Sequence, residues 1–358
     1  MFCSNIKHNL SWNVDGSVTP CNQLHEFPKY NSTQSMKNST EFLQLKDSDE
    51  NDTWPKYCIR CRDKESIGLL SKRQSDNLLH NIYVMMQPNY LKIDGAIGST
   101  CNAGCRICGP RSSTFWQQED RKFQKTIDIV DFKKNTYWDE VWNHRDQILQ
   151  LDIGGGEPWL NQVDQQQELF DYWIQNNRSK IIKIRYNTNG SLYPQKLIEK
   201  LLNFREVRIT LSIDDIENRF EYNRYPLKWN LVLENIKKLA ELESAHSNIV
   251  LDINFTVSVF TFLYAEDFKK YAEETLKINK INFNVLELPK HYSIKSIPTT
   301  IKQYIPEDNM FYSLISKNPM PDWELTFDKI ISNIDNRRKQ LFAENFQELN
   351  SILRKQHG

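Results

Sequence analysis

ILQLDIGGGEPWLNQVDQQQELFDYWIQNNRSKIIKIRYNTNG, residues 148–190, contains the pattern that decides the fold. Two short apolar runs, 148–156 and 181–190, flank a polar stretch in which apolar residues recur every three or four positions. The apolar runs predict β-strands, and the spacing over 161–177 predicts an amphipathic helix. The segment therefore predicts a strand, helix, strand unit whose two strands lie parallel in one sheet.

The same alternation continues on both sides of this unit. We predict further strands at 90–98, 207–214, 248–260 and 281–288, and further helices at 193–204, 229–244 and 265–277. Repeated units of this kind predict an α/β fold with a parallel sheet, either open or closed into a barrel. The stretch 327–355 predicts a helical cap after the last strand.

The composition narrows the classes of partner. The chain has 358 residues, enough for one barrel-sized domain or for a large domain with a small one. Lysine plus arginine equals aspartate plus glutamate at 46 each, so no net charge directs the chain to nucleic acid or to anionic lipid. The N-terminus lacks a secretory signal pattern and no stretch is long enough to cross a bilayer, so we expect a cytoplasmic protein without a nucleic-acid or membrane partner.

The seven cysteines form two groups. Four lie in the first 61 residues, and three follow the strand at 90–98. The first group is Cys3, Cys21, Cys58 and Cys61, and the second is Cys101, Cys105 and Cys108. Because a reducing compartment disfavours structural disulfides, metal ligation or redox chemistry is the expected use. Three thiols on one loop cannot close a tetrahedral metal site, so they would leave one position vacant.

Glycines and polar side chains follow the predicted strands at their carboxyl ends. Active sites of parallel α/β sheets and barrels gather at this edge. The strand at 148–156 ends in GGEP, the strand at 181–190 in NTNG and the strand at 207–214 in SIDD. Together with the three thiols, this set suits a polar cofactor held beside a metal centre.

These motifs, taken in order, resemble those of the radical S-adenosylmethionine (SAM) superfamily. The resemblance implies a partial (β/α)6 barrel of parallel strands over residues 89–295 and a C-terminal helical extension over 296–358. It also implies reductive cleavage of SAM at a [4Fe-4S] cluster, which yields methionine and a 5'-deoxyadenosyl radical that abstracts hydrogen from a substrate.

The resemblance assigns roles to individual residues. Cys101, Cys105 and Cys108 match the ligands of three irons in a [4Fe-4S] cluster whose fourth iron chelates SAM. Gly155, Gly156 and Glu157 match the motif that holds the methionine ammonium, and Asn189, Ser212 and Asp214 match positions that contact the ribose and methionine ends of SAM. Arg224 matches an arginine that faces the SAM carboxylate. Ile107 replaces the aromatic residue that often precedes the third cysteine, so contact with adenine there is expected to be aliphatic.

Taken alone, each of these elements has a simpler interpretation. C-x3-C-x2-C occurs in zinc knuckle fragments, and the glycines of GGEP could form a tight turn or a phosphate loop. Asn189 reads as part of a turn, Ser212 and Asp214 as a helix-capping pair, and Arg224 as a surface arginine.

The first 88 residues carry the second cysteine pattern. They are polar, with too few apolar residues for a good core, so a small irregular module stapled by a metal is expected. Cys3-x12-Gly16-x4-Cys21, followed by Cys58-x2-Cys61, resembles the twitch half of the SPASM auxiliary-cluster module, with residues 12–21 as a hairpin around an Asp-Gly turn. The resemblance implies a second, auxiliary [4Fe-4S] cluster, and a structural zinc ion would satisfy the same four ligands. In most members of the superfamily this module follows the barrel, whereas here it precedes it.

The substrate is not determined by these motifs, because a fold and a cofactor do not fix a function. The resemblance implies a radical SAM enzyme that modifies a peptide, a protein side chain or a small molecule, with an electron donor such as a ferredoxin or flavodoxin. Asp215, Glu287 and His291 are candidates for a catalytic acid or base, and the spacing does not choose among them. The alternative is a non-catalytic iron-sulfur or zinc protein on a barrel fold, acting in electron transfer or as a scaffold.

Overall fold

Eight strands form a single sheet in the computed structural model, which describes residues 2–66, 68, 70–123 and 137–355. In chain order the strands are β1 (Asn9–Trp12), β2 (Val18–Thr19), β3 (Leu91–Ala96), β4 (Ile148–Gly154), β5 (Lys183–Thr188), β6 (Glu206–Ser212), β7 (Ile249–Val257) and β8 (Ile281–Val285). Their order across the sheet is β2-β1-β3-β4-β5-β6-β7-β8. β1 and β2 are antiparallel, and every other neighbouring pair is parallel. The predicted parallel α/β sheet is confirmed, and the described strands leave it open, with β2 and β8 at its edges.

Helices connect most of the parallel strands. The described α-helices are α1 (Ser4–His8), α2 (Thr33–Lys37), α3 (Thr40–Glu50), α4 (Ile59–Ser66), α5 (Lys72–Met86), α6 (Thr114–Lys122), α7 (Tyr137–Asn143), α8 (Val163–Gln175), α9 (Gln195–Leu201), α10 (Glu217–Asn223), α11 (Trp229–Ala245), α12 (Ala265–Tyr271), α13 (Thr299–Lys302), α14 (Trp323–Arg338), α15 (Phe342–Asn345) and α16 (Gln347–Arg354). A π-helical turn, Ala272–Leu276, continues α12. The four helices predicted between strands correspond to α8, α9, α11 and α12. None of the described helices is long and apolar enough to cross a bilayer.

The two faces of the sheet differ in polarity. In β4, Leu151 and Ile153 are buried in the same apolar core as Leu169 and Phe170 of α8. Burial of each such side chain contributes about 1.5–3 kcal/mol, so this face holds the helices to the sheet. Because side chains alternate along a strand, the residues between them, such as Asp152, lie on the opposite face. That second face is polar in β3 to β8 and carries the site described below.

The N-terminal region is more ordered than its composition suggested. It contains five α-helices in its described part, and α5 begins with a capping box formed by Ser71 and Gln74. Leu10, Trp12 and Val18 belong to the same buried core as β3 and β4. The prediction of an irregular module without a good core is therefore wrong, because this region completes its core against the main sheet. The predicted boundaries at residues 88 and 295 stay predictions.

The predicted hairpin at residues 12–21 is confirmed. Trp12 pairs with Val18 across the antiparallel β1–β2 ladder. Gly16 has a positive φ of 76°, and the Asp15 carboxylate accepts a hydrogen bond from the Ser17 amide at 3.2 Å. These are the features expected of an Asp-Gly turn. The second strand delivers Cys21 next to β1.

The C-terminal extension is helical, as predicted, and packs against the loop that follows β3. The fully buried guanidinium of Arg106 forms an ion pair with Asp335 of α14 at 2.6 Å and lies 3.5 Å from the ring centre of Tyr222. Arg338 of α14 donates to both carboxylate oxygens of Glu119 on α6, at 3.0 Å each. α14 therefore fixes the segment that carries the second group of cysteines.

Candidate functional site

The three cysteines of the second group lie on one loop, residues 97–113, between β3 and α6; we refer to it as the cysteine loop. Cys105 is buried, Cys101 is half-buried and Cys108 is exposed. The backbone amides of Gly104 and Arg106 donate to the carbonyls of Tyr225 and Asn223, at 2.6 and 2.8 Å. The loop is thus anchored to the segment that follows α10, as well as to α14.

The thiols of this loop differ in acidity. A hydrogen bond with Cys108 lowers the pKa of Cys105 to about 7. Burial of the thiol opposes this effect, and the positive charge of Arg224 assists it. The same hydrogen bond raises the pKa of Cys108 well above its ordinary value, and burial raises that of Cys101 to about 12. Cys105 is therefore the thiol of the loop that ionises first, and metal ligation requires thiolates.

The glycines of GGEP bring the turn after β4 against the cysteine loop. Gly155 and Gly156 both have positive φ, 86° and 57°. A Cβ on Gly155 would lie 2.6 Å from the Cα of Ala96, and one on Gly156 would lie 2.2 Å from the carbonyl oxygen of Thr100. Side chains are excluded at both positions because the backbone of the chain itself passes there. A phosphate loop is not needed to explain these glycines.

Glu157 joins the turn after β4 to the end of β5. Its carboxylate is fully buried and accepts hydrogen bonds from the Trp159 amide at 3.1 Å, the Thr188 hydroxyl at 2.8 Å and the Asn189 amide at 2.7 Å. Burial raises the pKa of Glu157, and these donors oppose that effect. The contacts are all to the chain itself, so a role for Glu157 in holding the SAM ammonium stays a prediction.

Asn189 joins the end of β5 to the cysteine loop. Its side-chain nitrogen Nδ2 donates to Oδ1 of Asn102 at 3.0 Å, and its Oδ1 accepts from the backbone amide of Ser191 at 2.9 Å. The turn interpretation of this segment is correct, and the turn also contacts the residue next to Cys101. Ser212 is half-buried at the end of β6, paired in register with Asn254 of β7.

Arg224 and Asp214 form a buried ion pair behind the cysteine loop. Nη2 of Arg224 lies 2.6 Å from Oδ2 of Asp214, whose Oδ1 accepts from the Thr256 amide at 2.9 Å. Nη1 of Arg224 donates to Sγ of Cys105 at 3.8 Å. Asp214 does not cap a helix and Arg224, 5% exposed, is not a surface residue, so both simpler interpretations are wrong.

One donor of this arginine is unused. Nε of Arg224 is buried and has no hydrogen-bond partner in the described part of the chain. Buried donors are almost always satisfied, so an unsatisfied one beside three thiols fits a site built for an additional acceptor. Three thiols and a spare guanidinium donor have the chemistry that a cluster with an anionic ligand requires, whereas no three Cys, His, Asp or Glu side chains among the described residues stand in an arrangement that would hold a metal ion.

The three candidates for a catalytic acid or base have other contacts. Asp215 is fully buried and accepts from Arg219 at 2.7 and 2.9 Å, Glu287 is exposed and pairs with Lys295, and the ring of His291 packs on Tyr292. None of the three is among the described residues that line the cleft on the polar face of the sheet.

This cleft, which we call the polar cleft, has a volume of about 680 Å³. It is lined by strand residues near the GGEP turn, including Ala96, Gly154, Gly155 and Asn187, and by residues of α4 and α5. Its remaining lining includes Asp94, Asp152, Arg185, Thr210, Asn254 and Asn284. The cysteines of the cysteine loop are not among its lining residues; they lie beyond the GGEP turn.

The charged residues of the polar cleft were missed by motif reasoning. Nη1 of Arg185 lies 3.2 Å from Oδ2 of Asp152, and Nζ of Lys72 lies 3.7 Å from Asp94 and 3.3 Å from Asp76. The sequence does indicate a polar sheet face, because polar residues alternate with apolar ones along these strands. That alternation predicts a polar face, which the search for cysteine and glycine motifs did not address.

The first group of cysteines surrounds a separate, small cavity. Cys3, Cys21, Cys58 and Cys61 all line it, and its volume of about 20 Å³ is enough for roughly one water molecule. Burial raises the pKa of Cys3 to about 11 and that of Cys58 to about 12, so these thiols are neutral without a metal. Cys61 also lines the polar cleft, so the two cavities share a wall. The structure brings together around one cavity four thiols that the sequence separates by up to 58 positions.

The central part of the chain is similar to a known protein family. Residues 96–260 match the model of the Radical SAM superfamily. No curated protein matches the chain significantly. Among solved structures, native anSMEcpe with bound AdoMet is 20% identical, with a TM-score of 0.41, over 57% of this chain and 54% of that one. Streptococcus suis SuiB bound to S-adenosylmethionine is 14% identical, with a TM-score of 0.37, over 87% and 62%. SuiB bound to the precursor peptide SuiA is 15% identical, with a TM-score of 0.36, over 82% and 59%. The chain thus spans little more than half the length of these structures.

Proposed function

We propose that this chain, which carries a radical SAM superfamily domain over residues 96–260, cleaves SAM reductively and uses the 5'-deoxyadenosyl radical to modify a substrate. The proposal adds a peptide or protein side chain as the substrate, because the first group of cysteines resembles a module common in peptide-modifying members. It also includes a ferredoxin or flavodoxin as the electron donor.

One observation carries the proposal. The ends of β3, β4, β5 and β6 all converge on the cysteine loop, through Gly156 at Thr100, Asn189 at Asn102 and the Arg224–Asp214 pair at Cys105. A loop that only needed to be stable would not require three thiols at this point. The convergence of these strand ends on the thiols supports a site with a metal cluster on one side and a polar ligand on the other.

The residues have distinct expected tasks. Cys101, Cys105 and Cys108 would hold the [4Fe-4S] cluster, and Nε of Arg224 would donate a hydrogen bond to the carboxylate of SAM. When bound, the cluster supplies the electron that cleaves SAM. Asp214 fixes the direction of the Arg224 guanidinium, and Glu157 holds the GGEP turn against the end of β5. Gly155, Asn189 and Ser212 would line the SAM side of the site.

The first group of cysteines would hold a second metal group. Four thiolates close a site, so an auxiliary [4Fe-4S] cluster or a zinc ion there would have no vacant position. The resemblance to the twitch module favours the cluster, whereas the size of the present cavity is closer to that of a single ion.

Metal analysis and SAM cleavage test the proposal together. The protein is purified without oxygen, its iron, sulfide and zinc are quantified, and it is incubated with dithionite and SAM. About eight irons per chain with formation of 5'-deoxyadenosine would support two clusters, and about four irons with one zinc would support a structural N-terminal metal. Iron without SAM cleavage in the reduced state would contradict the enzyme and favour the non-catalytic iron-sulfur protein.

Two matched variants separate the sites. Cys105→Ala should abolish SAM cleavage while the metal of the first group is retained. Cys58→Ala should remove the metal of the first group while the cysteine loop still binds iron. SAM cleavage retained by Cys105→Ala would disprove the assignment of the cysteine loop.

A further inference from the structure

The α4 end of the polar cleft carries two cations with no ion-pair partner. Arg60 and Lys64 are one helical turn apart on α4, both are exposed and both line the cleft. In the described part of the chain neither side chain has a carboxylate within ion-pair distance. Arg62, which lies between them in the sequence, differs in both respects: it is 3.6 Å from Asp63 and it does not line the cleft. The charge that faces the cleft from α4 is therefore uncompensated.

The other charged residues that line the cleft are three carboxylates, Asp76, Asp94 and Asp152, and two cations, Lys72 and Arg185. Asp152 pairs with Arg185, and Asp76 and Asp94 pair with Lys72. These carboxylates already have cationic partners, so they do not neutralise Arg60 or Lys64. Their excess over the two cations also disfavours a multiply charged anion such as a phosphate beside them, because like charges in a confined site repel each other.

A row of side-chain amides crosses the sheet from β5 to β8. Asn284 of β8 donates to Oδ1 of Asn254 on β7 at 3.3 Å, and Asn254 donates to Oδ1 of Asn187 on β5 at 3.5 Å. Asn187 and Asn284 are exposed to the cleft. Each amide offers donors and an acceptor, which is the complement of the N–H and C=O groups of a peptide main chain.

We propose that the polar cleft binds an acidic peptide segment, with side-chain carboxylates held by Arg60 and Lys64 and the main chain held by the asparagine row. This inference rests on the proposed function, whose substrate it narrows to an acidic peptide. A guanidinium and an ammonium at the mouth of a cleft bind carboxylates through charge-assisted hydrogen bonds. The volume of the cleft is in the range of about 300–1,000 Å³ that is usual for ligand sites, so the cleft is large enough for a few peptide residues.

Peptide binding tests the inference on the purified, metal-loaded protein. A short glutamate-rich peptide and its glutamine counterpart are labelled, and their binding is measured by fluorescence anisotropy at low and high salt. We expect the acidic peptide to bind about tenfold more tightly at low salt, with the difference reduced at high salt. Equal binding of the two peptides would overturn the inference.

Matched variants on α4 locate the site. Arg60→Gln combined with Lys64→Gln should remove the preference for the acidic peptide, whereas Arg62→Gln should retain it. A loss of the same size in Arg62→Gln would overturn the inference, because the effect would then come from surface charge in general. If the double variant unfolds in a thermal denaturation control, Lys64→Glu, a single change at an exposed position, replaces it and should remove the preference, because it also cancels the positive charge of the pair; an unchanged preference in Lys64→Glu would overturn the inference.

Competition distinguishes an acidic peptide from a phosphate ligand. Inorganic phosphate should displace the labelled peptide only weakly, and displacement by phosphate as efficient as that by unlabelled acidic peptide would overturn the inference. SAM cleavage by the unaltered protein is measured separately. A protein that cleaves SAM but shows no preference for the acidic peptide disproves the inference alone, and one that binds the peptide without cleaving SAM disproves the proposed enzyme alone.

Discussion

The guanidinium of Arg224 donates to the sulfur of Cys105 across 3.8 Å. The same side chain is held by Asp214, so its position does not depend on the thiol. A cation aimed at a cluster ligand stabilises negative charge on that ligand, and therefore favours the reduced state of a cluster.

Replacing Arg224 with methionine should lower the reduction potential of the [4Fe-4S] cluster that we propose for the cysteine loop. The charge and the hydrogen bond to Cys105 are both lost, so the reduced cluster is less stable. A redox titration followed by electron paramagnetic resonance measures the potential. Arg224→Lys keeps the charge and should shift the potential less. A potential unchanged in Arg224→Met would contradict the role of the guanidinium.

Adding a methyl group at Gly156 should displace the cysteine loop. The new Cβ would lie 2.2 Å from the Thr100 oxygen at a positive φ, and we expect destabilisation of about 2–5 kcal/mol with loss of iron from the loop. Thermal unfolding and iron analysis measure both effects. Gly109→Ala is the control, since no heavy atom lies within 4 Å of the Cβ it would add. Equal effects of the two changes would contradict the packing argument.

Removing the charge of Asp335 should destabilise the protein strongly. Arg106, fully buried, would lose its ionic partner, and breaking a buried pair in this way costs about 3–5 kcal/mol. Asp328→Asn on the same helix breaks an exposed pair with Arg354, and such pairs contribute about 0–1 kcal/mol. Chemical denaturation of Asp335→Asn and Asp328→Asn compares them. A similar loss of unfolding free energy in both variants would show that the ion pair between Arg106 and Asp335 does not contribute more than an exposed pair.

The ion pair between Glu65 and Arg73 should make the stability of the N-terminal region depend on pH. Hydrogen bonding from Arg73 lowers the pKa of Glu65 in the folded state, so the stabilisation is present above the unfolded value of 4.5 and is lost as the pH falls through the lower folded value. Glu65→Gln should cost about 2 kcal/mol at neutral pH and almost nothing at strongly acidic pH. Denaturation at several pH values measures this difference. Asp63→Asn, at an exposed position of the same helix, should show little change at any pH.

The alternating strands and helices of the sheet can be predicted from the spacing of apolar residues within each segment. The strands at 148–156 and 181–190 and the helix between them could be predicted because apolar periodicity is set by burial on a single sheet face. The cysteine and glycine motifs pointed correctly to the edge where β3 to β6 end. Periodicity within each segment was enough for these elements.

Other features depend on contacts between distant segments. The composition of residues 1–88 gave no sign that Trp12 and Val18 would be buried against β3 and β4, because the partner surface lies elsewhere in the chain. The ion pair between Arg106 and Asp335 joins residues 229 positions apart. The contacts of Glu157 likewise could not be read from GGEP, since its hydrogen-bond donors come from the end of β5.

The pairing of β1 with β3 has a consequence for the two groups of cysteines. Cys21 follows the β1–β2 hairpin and Cys101 follows β3, and the ladder joins the strands through the pairs from Asn9–Lys92 to Trp12–Gly95. Neighbouring strands stay about 4.8 Å apart, so a hydrogen-bonded ladder rather than a tether separates the two cysteine groups. An electron passing between metals bound there would cross a gap whose width is fixed by the backbone and does not fluctuate as it would between domains joined by a linker.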